Sequence, residues 1–231
     1  MTSRAAVMRR LPVRRPGPRP APARGDRRSG AGRAAGRARN AGVELRVNPP
    51  EREPPTGFEF TELLASRVRD VADYPRPGIL FRDITPLLAD PVAFTGAVDA
   101  LVAHRPHGTI DKVVGIEARG FILAAPVAYH LGAGFVPVRK EGKLPGATLS
   151  VRYTLEYAEA TLEVHADAFA PGDRVLVVDD VLATGGTAAA AAELITRAGG
   201  NVVGLSVLIE LAELGGRARL GGLAVHALLA G

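Results

Sequence analysis

Two adjacent aspartates, Asp179 and Asp180, lie between an apolar run and a loop of small residues. The run Arg174–Val178 is rich in β-branched residues and predicts a buried parallel strand that ends at the aspartates. The loop Ala183–Thr187 has two hydroxyl groups and two glycines, which let a backbone approach a ligand closely. A helix is predicted over Ala188–Ala198, closed by a glycine pair. This order predicts a phosphate site, because N–H groups and the dipole at a helix start attract anions.

The acidic pair needs a partner other than phosphate, because carboxylates repel anions. Ionised carboxylates only accept hydrogen bonds, and the neighbouring hydroxyls of a ribose offer two donors. The loop also lacks the lysine that follows the glycines of a Walker loop. The alternative interpretation is a tight turn that closes a buried strand and binds nothing.

The order hydrophobics-Asp-Asp-x-x-Ala-Thr-Gly-Gly-Thr resembles the phosphoribosyl-diphosphate (PRPP) motif of type I phosphoribosyltransferases. The resemblance implies that Asp179 and Asp180 hold the ribose hydroxyls and offset positive charge on the reacting sugar. It implies that the 5-phosphate is bound by Ala183, Thr184, Gly185, Gly186 and Thr187.

A proline- and glycine-rich segment, residues 73–86, predicts a rigid loop, because its prolines oppose a helix. The alternative interpretation is that the apolar end of this loop simply packs onto the core. The loop resembles the base-recognition segment of adenine phosphoribosyltransferases. By that resemblance Phe81 stacks on the purine, and the backbones of Leu80 and Arg82 read its edge. Fixed backbone donors and acceptors can distinguish a 6-amino from a 6-oxo group.

A second strand–loop–helix pattern comprises a strand over Asp111–Ile116 and a helix over Phe121–Leu131. The repeat predicts a parallel α/β sheet with ligands at the carboxyl ends of its strands. The family resemblance places diphosphate at this loop, with Arg119 as a charged donor capable of bidentate contact. A surface arginine at a helix start is the alternative.

A cationic cluster follows a third predicted strand, Gly134–Val138. On composition alone Arg139, Lys140 and Lys143 fit a solvated charge run. Their order resembles the family's Arg-Lys-x-Gly-Lys-Leu-Pro segment, which implies contacts to PRPP and, in that family, to a neighbouring subunit's site.

Alternating apolar residues over Thr148–Val164 predict a β-hairpin. Its tip resembles the family's mobile catalytic loop, which makes Glu156 the candidate for proton transfer, beside Tyr157. An exposed hairpin charge is the alternative. Ala158 replaces a glycine of the family pattern, which costs about 1 kcal/mol or more if that position has a positive φ.

The remaining elements are expected to be helices and strands of the same α/β domain, beginning near Phe58. Amphipathic spacing predicts a helix over Thr61–Ala72, and Glu210–Arg217 fits a short helix or turn. The other predicted elements are a helix over Pro91–His104 and strands over Asn201–Ile209 and Leu223–Leu228.

The net charge of +5 is unevenly distributed over the 231 residues. Residues 1–46 carry thirteen arginines and two acids, or +11, whereas the rest of the chain carries −6. Residues 1–57 lack apolar periodicity, so we expect a disordered tail before a phosphoribosyltransferase domain over residues 58–231. Binding of anionic surfaces, a transit peptide and an over-extended translation start all fit the tail's composition, although its prolines oppose the helix of a transit peptide.

Composition excludes several kinds of site. The absence of cysteine rules out disulfides and thiolate sites, and the five histidines lack the spacing of a zinc site. No apolar run approaches the roughly 18 residues of a membrane helix. No apolar signal-peptide region follows Arg9 and Arg10, so we expect a cytoplasmic protein without membrane or specific nucleic-acid partners.

The resemblance implies a three-layer, parallel-sheet type I phosphoribosyltransferase fold with a small N-terminal hood and a flexible β-hairpin loop. It implies transfer of phosphoribose from PRPP to adenine, giving AMP and diphosphate. It implies Mg²⁺ bound mainly through the diphosphate, without dedicated protein ligands, and a homodimer. Two alternatives stay open, namely a 6-oxopurine phosphoribosyltransferase and a non-catalytic regulator that senses PRPP.

Overall fold

A computed structural model provides the fold and describes residues 57–154 and 159–231. The predicted tail, apart from its last residue, and the hairpin tip at 155–158 lie outside this part of the chain. The helices are α1 (Gly57–Ser66), α2 (Thr85–Ala89), α3 (Pro91–Val102), α4 (Arg119–Leu131) and α5 (Gly186–Arg197).

Nine strands form two sheets in the described part of the chain. They are β1 (Arg69–Ala72), β2 (Leu80–Asp83), β3 (Lys112–Ile116), β4 (Gly134–Lys140), β5 (Thr148–Thr154), β6 (Glu159–His165), β7 (Arg174–Leu182), β8 (Asn201–Glu210) and β9 (Val225–Ala230). Two short 3₁₀ helices, Ala212–Leu214 and Gly216–Leu220, connect β8 to β9.

The main sheet has seven strands in the order β5-β6-β4-β3-β7-β8-β9. Strands β4, β3, β7, β8 and β9 are parallel, so their carboxyl ends meet at one edge. The antiparallel hairpin β5–β6 extends the sheet beyond β4. Strands β1 and β2 form a separate antiparallel pair, which is the expected N-terminal hood.

Helices cover both faces of the main sheet. Helices α3 and α4 contribute to one buried core, and α5 contributes to the other. The central strands β3 and β7 are nearly continuous apolar runs because both of their faces are buried. No helix in residues 57–154 and 159–231 combines the length and apolar character of a membrane span.

The predicted helix over Thr61–Ala72 is wrong in its second half. Helix α1 ends at Ser66, and residues 69–72 form β1, paired with β2 from Ala72 opposite Leu80 to Arg69 opposite Asp83. Val71 has the spacing of a helix face, but its structure is determined by pairing with Phe81 of β2, across a proline-containing turn. The predicted loop over residues 73–86 correspondingly contains β2 and the first residues of α2.

Two strands run further than predicted, and both extensions move candidate residues. Strand β7 continues through Asp179 and Asp180 to Leu182, which pairs with Glu210 of β8. Strand β4 continues through Arg139 and Lys140, which pair with β6. These charged residues are therefore part of the sheet and do not lie in the loops that follow it.

Candidate active site

A cavity of about 660 Å³ opens at the carboxyl edge of the main sheet. Phe81 from β2 and Arg119 from the start of α4 line it together with Asp180 of β7. Thr184 from the loop after β7 and Leu214 from the first 3₁₀ helix complete this part of the wall. Segments far apart in the sequence thus meet around one space, as expected for ligand sites in open α/β sheets.

Arg119 links the acidic pair to the aromatic wall. Its Nε lies 2.8 Å from Asp180 Oδ2, and its guanidinium carbon lies 4.7 Å from the centroid of the Phe81 ring. The ion pair is not aligned as a hydrogen bond, so Asp180 Oδ2 and Arg119 Nη1 are buried without a hydrogen-bond partner in the described residues. Buried polar atoms are normally satisfied, which marks this pair as a place for ligand contacts.

Asp179 is held in a tight environment. Burial, followed by the negative charge of Asp180, raises the pKa of the Asp179 carboxyl well above its usual value. Its Oδ1 accepts a hydrogen bond from the Asp180 N–H at 2.9 Å. A Cβ at Gly120 would lie 2.7 Å from the same oxygen, so the glycine lets the start of α4 approach the carboxylate.

The loop Ala183–Thr187 leaves the start of α5 open. Gly185 precedes the helix in a left-handed conformation with φ of 79°, and no side chain caps the helix. The first N–H groups of α5 therefore have no side-chain acceptor and are available to an anion. Thr187 Oγ1 lies 3.4 Å from the Tyr153 hydroxyl of β5, which connects the loop to the hairpin.

Glu117 directly follows β3 and binds the cationic residues of β4 and of the loop after it. Its side chain is 8 % exposed, and it accepts hydrogen bonds from Arg139 Nε at 3.3 Å, from the Lys140 N–H at 3.0 Å and from Lys143 Nζ. Burial acts to raise the pKa of Glu117, but the hydrogen bonds from Lys143 and Lys140 and the nearby positive charges hold it below its usual value. Glu117 is therefore an ionised carboxylate that binds the cationic segment to the sheet.

Comparisons with known proteins agree with this geometry. Residues 93–219 match the family model described as the phosphoribosyl transferase domain. The adenine phosphoribosyltransferase of Acidothermus cellulolyticus is 68 % identical over 171 residues, covering 74 % of this chain and 97 % of that protein. The chain belongs to the adenine phosphoribosyltransferase family.

Solved structures of the adenine phosphoribosyltransferase family share the fold. The enzyme from Rhodothermus marinus superposes with a TM-score of 0.71 at 54 % identity, over 74 % of this chain and 98 % of that chain. The Saccharomyces cerevisiae enzyme, solved with an imino-altritol bisphosphate and adenine, gives 0.69 at 38 % identity, over 74 % and 98 %. The prediction of a type I phosphoribosyltransferase fold is confirmed.

Many of the candidate residues predicted from the adenine phosphoribosyltransferase resemblance lie around the one cavity. Its walls include Leu80, Phe81, Arg82, Arg119, Asp180, Ala183 and Thr184. The Arg82 side chain is paired with Asp70 at 2.6 Å. Arg139, Lys140 and Lys143 are not among the residues that line this cavity, and they donate to Glu117 instead. Glu156 lies outside the described residues, so its role stays a prediction.

Sequence reasoning missed two features of the site's geometry. Glu117 was only part of a loop pattern, although an acid directly after a buried strand and before a distant cationic run was a usable signal. The second feature is the contact between Gly216 and the loop after β7, where a Cβ at Gly185 would collide with the Gly216 carbonyl oxygen. In the sequence, the glycine pair at 215–216 was the only signal for this contact.

Proposed function

We propose that this chain carries out the adenine phosphoribosyltransferase reaction, in which adenine and PRPP give AMP and diphosphate. The observation that carries the proposal is the cavity that joins Phe81 to Asp180 and to Ala183 and Thr184 at the start of the loop Ala183–Thr187. The rest of that loop lines a second cavity that shares Ala183 and Thr184 with the first. An aromatic face suits a purine, and a helix start suits a phosphate. Their separation by an acidic pair suits a ribose, because it lies between base and phosphate in AMP.

The acidic pair has two tasks in this proposal. Asp179 and Asp180 accept hydrogen bonds from the 2- and 3-hydroxyls of the ribose. As diphosphate leaves, positive charge develops on the sugar ring, and the nearby carboxylates stabilise it electrostatically. The raised pKa of Asp179 means that its ionised form is disfavoured before ligand arrives. A cationic partner in the site would therefore favour the ionised form of Asp179.

The 5-phosphate anchors the substrate at a distance from the reaction. The N–H groups of Ala183–Thr187, with the hydroxyls of Thr184 and Thr187, bind it in this proposal. Binding energy from this non-reacting group then orients the anomeric carbon against the base. Phe81 stacks on adenine, and the backbones of Leu80 and Arg82 contact its edge.

Diphosphate is assigned to the cationic residues Arg119, Arg139, Lys140 and Lys143. The site also fits Mg²⁺ carried by the substrate, because Asp180 would offer it a carboxylate oxygen. In residues 57–154 and 159–231 no three potential ligand side chains are grouped for a metal, while Asp180 Oδ2 is buried without a hydrogen bond. Mg²⁺ keeps several waters and binds phosphate oxygens, and when bound it would offset the charge of the leaving group.

Two copies are proposed to associate through one face of α4 and β4. Tyr129 is 83 % exposed and shares a helix face with exposed Ile122. Phe135 of β4 is also exposed and packs edge-to-face on Phe121 at 5.9 Å. Exposed aromatic side chains on neighbouring elements are typical of protein interfaces. Light scattering should report a dimer that Tyr129→Lys weakens, and a wild-type monomer at high concentration would exclude this interface.

A competition assay tests the substrate. Purified full-length protein is given PRPP, Mg²⁺ and equal amounts of adenine, hypoxanthine and guanine, and nucleotide products are separated by chromatography. We expect AMP to dominate. Preferential formation of IMP or GMP would favour a 6-oxopurine enzyme, and PRPP binding without any turnover would favour a regulator. Because PRPP is an intracellular metabolite, the cytoplasm is the proposed location.

The basic tail is proposed to be dispensable for this reaction. Residues 1–46 of the tail carry a charge of +11, in contrast with −6 for the rest of the chain. Removal of residues 1–55 should leave kcat for AMP formation within about threefold, because no candidate site residue is removed. A hundredfold loss in a truncated protein with unchanged circular dichroism would contradict this view.

A further inference from the structure

The segment Leu211–Leu220, called here the 3₁₀ segment, interlocks with the phosphate loop Ala183–Thr187. A Cβ at Gly216 would collide with the Ala183 carbonyl oxygen and would lie 3.1 Å from the Gly185 nitrogen. The Leu211 N–H donates to the Leu182 carbonyl at 2.9 Å. The phosphate loop therefore lies directly on the backbone of the 3₁₀ segment, with no side chain between them.

One ion pair fixes the 3₁₀ segment to the sheet. Arg217 Nε and Nη2 each donate to a different carboxylate oxygen of Glu210 at 2.6 Å, and Arg217 Nη1 donates to the Val225 carbonyl at 3.0 Å. Glu210 is buried at the end of β8, where it pairs in register with Leu182, the residue before the phosphate loop. A bidentate pair of this kind restricts orientation as well as distance.

We propose that Glu210 and Arg217 are positioning residues for 5-phosphate recognition, acting through Gly216 on the phosphate loop. The inference rests on the proposed function, because it takes the 5-phosphate of PRPP and AMP as the ligand. The phosphate loop recognises its ligand with backbone N–H groups, whose directions depend on the loop conformation. Arg217 sets the place of Gly216, and Gly216 restricts Ala183 and Gly185 to one arrangement.

The test separates ligands that carry a 5-phosphate from those that do not. Full-length protein with Arg217→Met is compared with wild type for the KM of PRPP, the KM of adenine and kcat. Calorimetry gives Kd for ribose 5-phosphate and for diphosphate. We expect KM for PRPP and Kd for ribose 5-phosphate to rise together, about tenfold, which corresponds to about 1.4 kcal/mol. The KM of adenine and the Kd of diphosphate should change less than about twofold, because those ligands do not use the loop.

Two further variants keep the proposal testable if the unpaired Glu210 charge unfolds the protein. The double variant Glu210→Gln with Arg217→Met removes both charges. Gly216→Ala leaves the ion pair intact and displaces the loop directly. Both are expected to weaken ribose 5-phosphate and to leave diphosphate nearly unchanged. Partial recovery of ribose 5-phosphate affinity in Arg217→Lys would support positioning by the cation.

Arg174→Met is the matched control. Arg174 also pairs twice with a carboxylate, Asp111, at 2.8 and 2.9 Å, but at the amino end of β7. It should lower Tm without changing Kd for ribose 5-phosphate. The proposal is overturned if Arg217→Met and Gly216→Ala leave this Kd unchanged, or if Arg174→Met raises it equally. Wild type that binds ribose 5-phosphate but forms no AMP would instead refute the proposed reaction alone.

Discussion

The two strand–loop–helix units of the main sheet, β3–α4 and β7–α5, hold their loops by different means. After β7, the loop is fixed by backbone contacts, with Gly185 against Gly216 and an uncapped helix start. After β3, charged side chains dominate, since Glu117 pairs with the Arg139 and Lys143 side chains and Arg119 pairs with Asp180. Glu117 also accepts a hydrogen bond from the Lys140 backbone N–H. One loop is built from glycines and N–H groups and the other from ion pairs.

The proposed reaction explains why the two loops differ. The 5-phosphate stays attached to the ribose from PRPP to AMP, so a rigid, uncharged backbone site serves substrate and product alike. Diphosphate has to leave. Arg139 and Lys143 are paired with Glu117 when no ligand is bound. They can exchange Glu117 for diphosphate and pair with Glu117 again when diphosphate is released. The comparison thus separates a permanent anchor from a releasable site.

The variant with the largest expected effect tests whether a residue outside both loops transfers the proton. Adenine N9 loses a proton as the glycosidic bond forms, and Glu156 on the hairpin tip is the predicted acceptor. Glu156→Gln should lower kcat about 10²–10⁴-fold, as expected for a lost general acid–base group, while the Kd of PRPP stays nearly constant. Single-turnover kinetics measures the first and calorimetry the second. Activity in Glu156→Gln but not in Glu156→Ala would show that Glu156 only positions the hairpin.

The acidic pair at the junction of the two loops should give the next largest effect. Asp179→Asn combined with Asp180→Asn removes two charges near a cationic transition state, and kcat should fall on the order of 10²-fold or more. Steady-state assays measure the fall, and a Tm at or above that of wild type would show that folding is intact. Near-normal turnover in the folded double variant would make the pair structural.

Paired glycine substitutions compare the phosphate loop with the cationic loop after β4, which holds Gly142 and Lys143. Gly185→Ala and Gly142→Ala both force alanine into a left-handed conformation, at φ of 79° and 78°, a strain of about 1–2 kcal/mol. Only Gly185 adds a collision, since nothing lies within 4 Å of a Cβ at Gly142. Ribose 5-phosphate should bind about tenfold more weakly to Gly185→Ala. Diphosphate affinity in Gly142→Ala should be nearly unchanged, and equal losses in both variants would remove the distinction.

The smallest effect concerns stability and pH. Folding raises the pKa of Asp179, so the folded state favours its protonated form. The stability that Asp179 contributes by being protonated is complete below its usual pKa of 3.8, and it is lost as pH rises through the pKa of the folded state. Asp179→Asn should therefore melt higher than wild type at pH 8, by about 2–4 °C for each kcal/mol, and the difference should shrink toward pH 4. Calorimetry in which the gain is larger at pH 4 would contradict the shifted pKa.

The sequence predicted the elements that follow local patterns. The strand–loop–helix unit around Asp179–Thr187, the hairpin and the parallel strands could all be predicted from spacing. The second half of the predicted helix after Thr61 was wrong, because residues 69–72 pair with β2 across a turn. The partners of Glu117 could not be predicted from composition, since the ion pairs join residues more than twenty positions apart.

The contact between Gly185 and Gly216 has a consequence for how this protein tolerates change. A side chain at either position meets the backbone of the other segment, so the effects of substituting both are expected to be non-additive. Natural sequence drift should conserve or exchange the two residues as a unit, although α5 and β8 lie between them in the chain. A protein-engineering library that varies the phosphate loop alone would then sample mostly inactive variants, whereas co-randomising both glycine positions would reach new solutions.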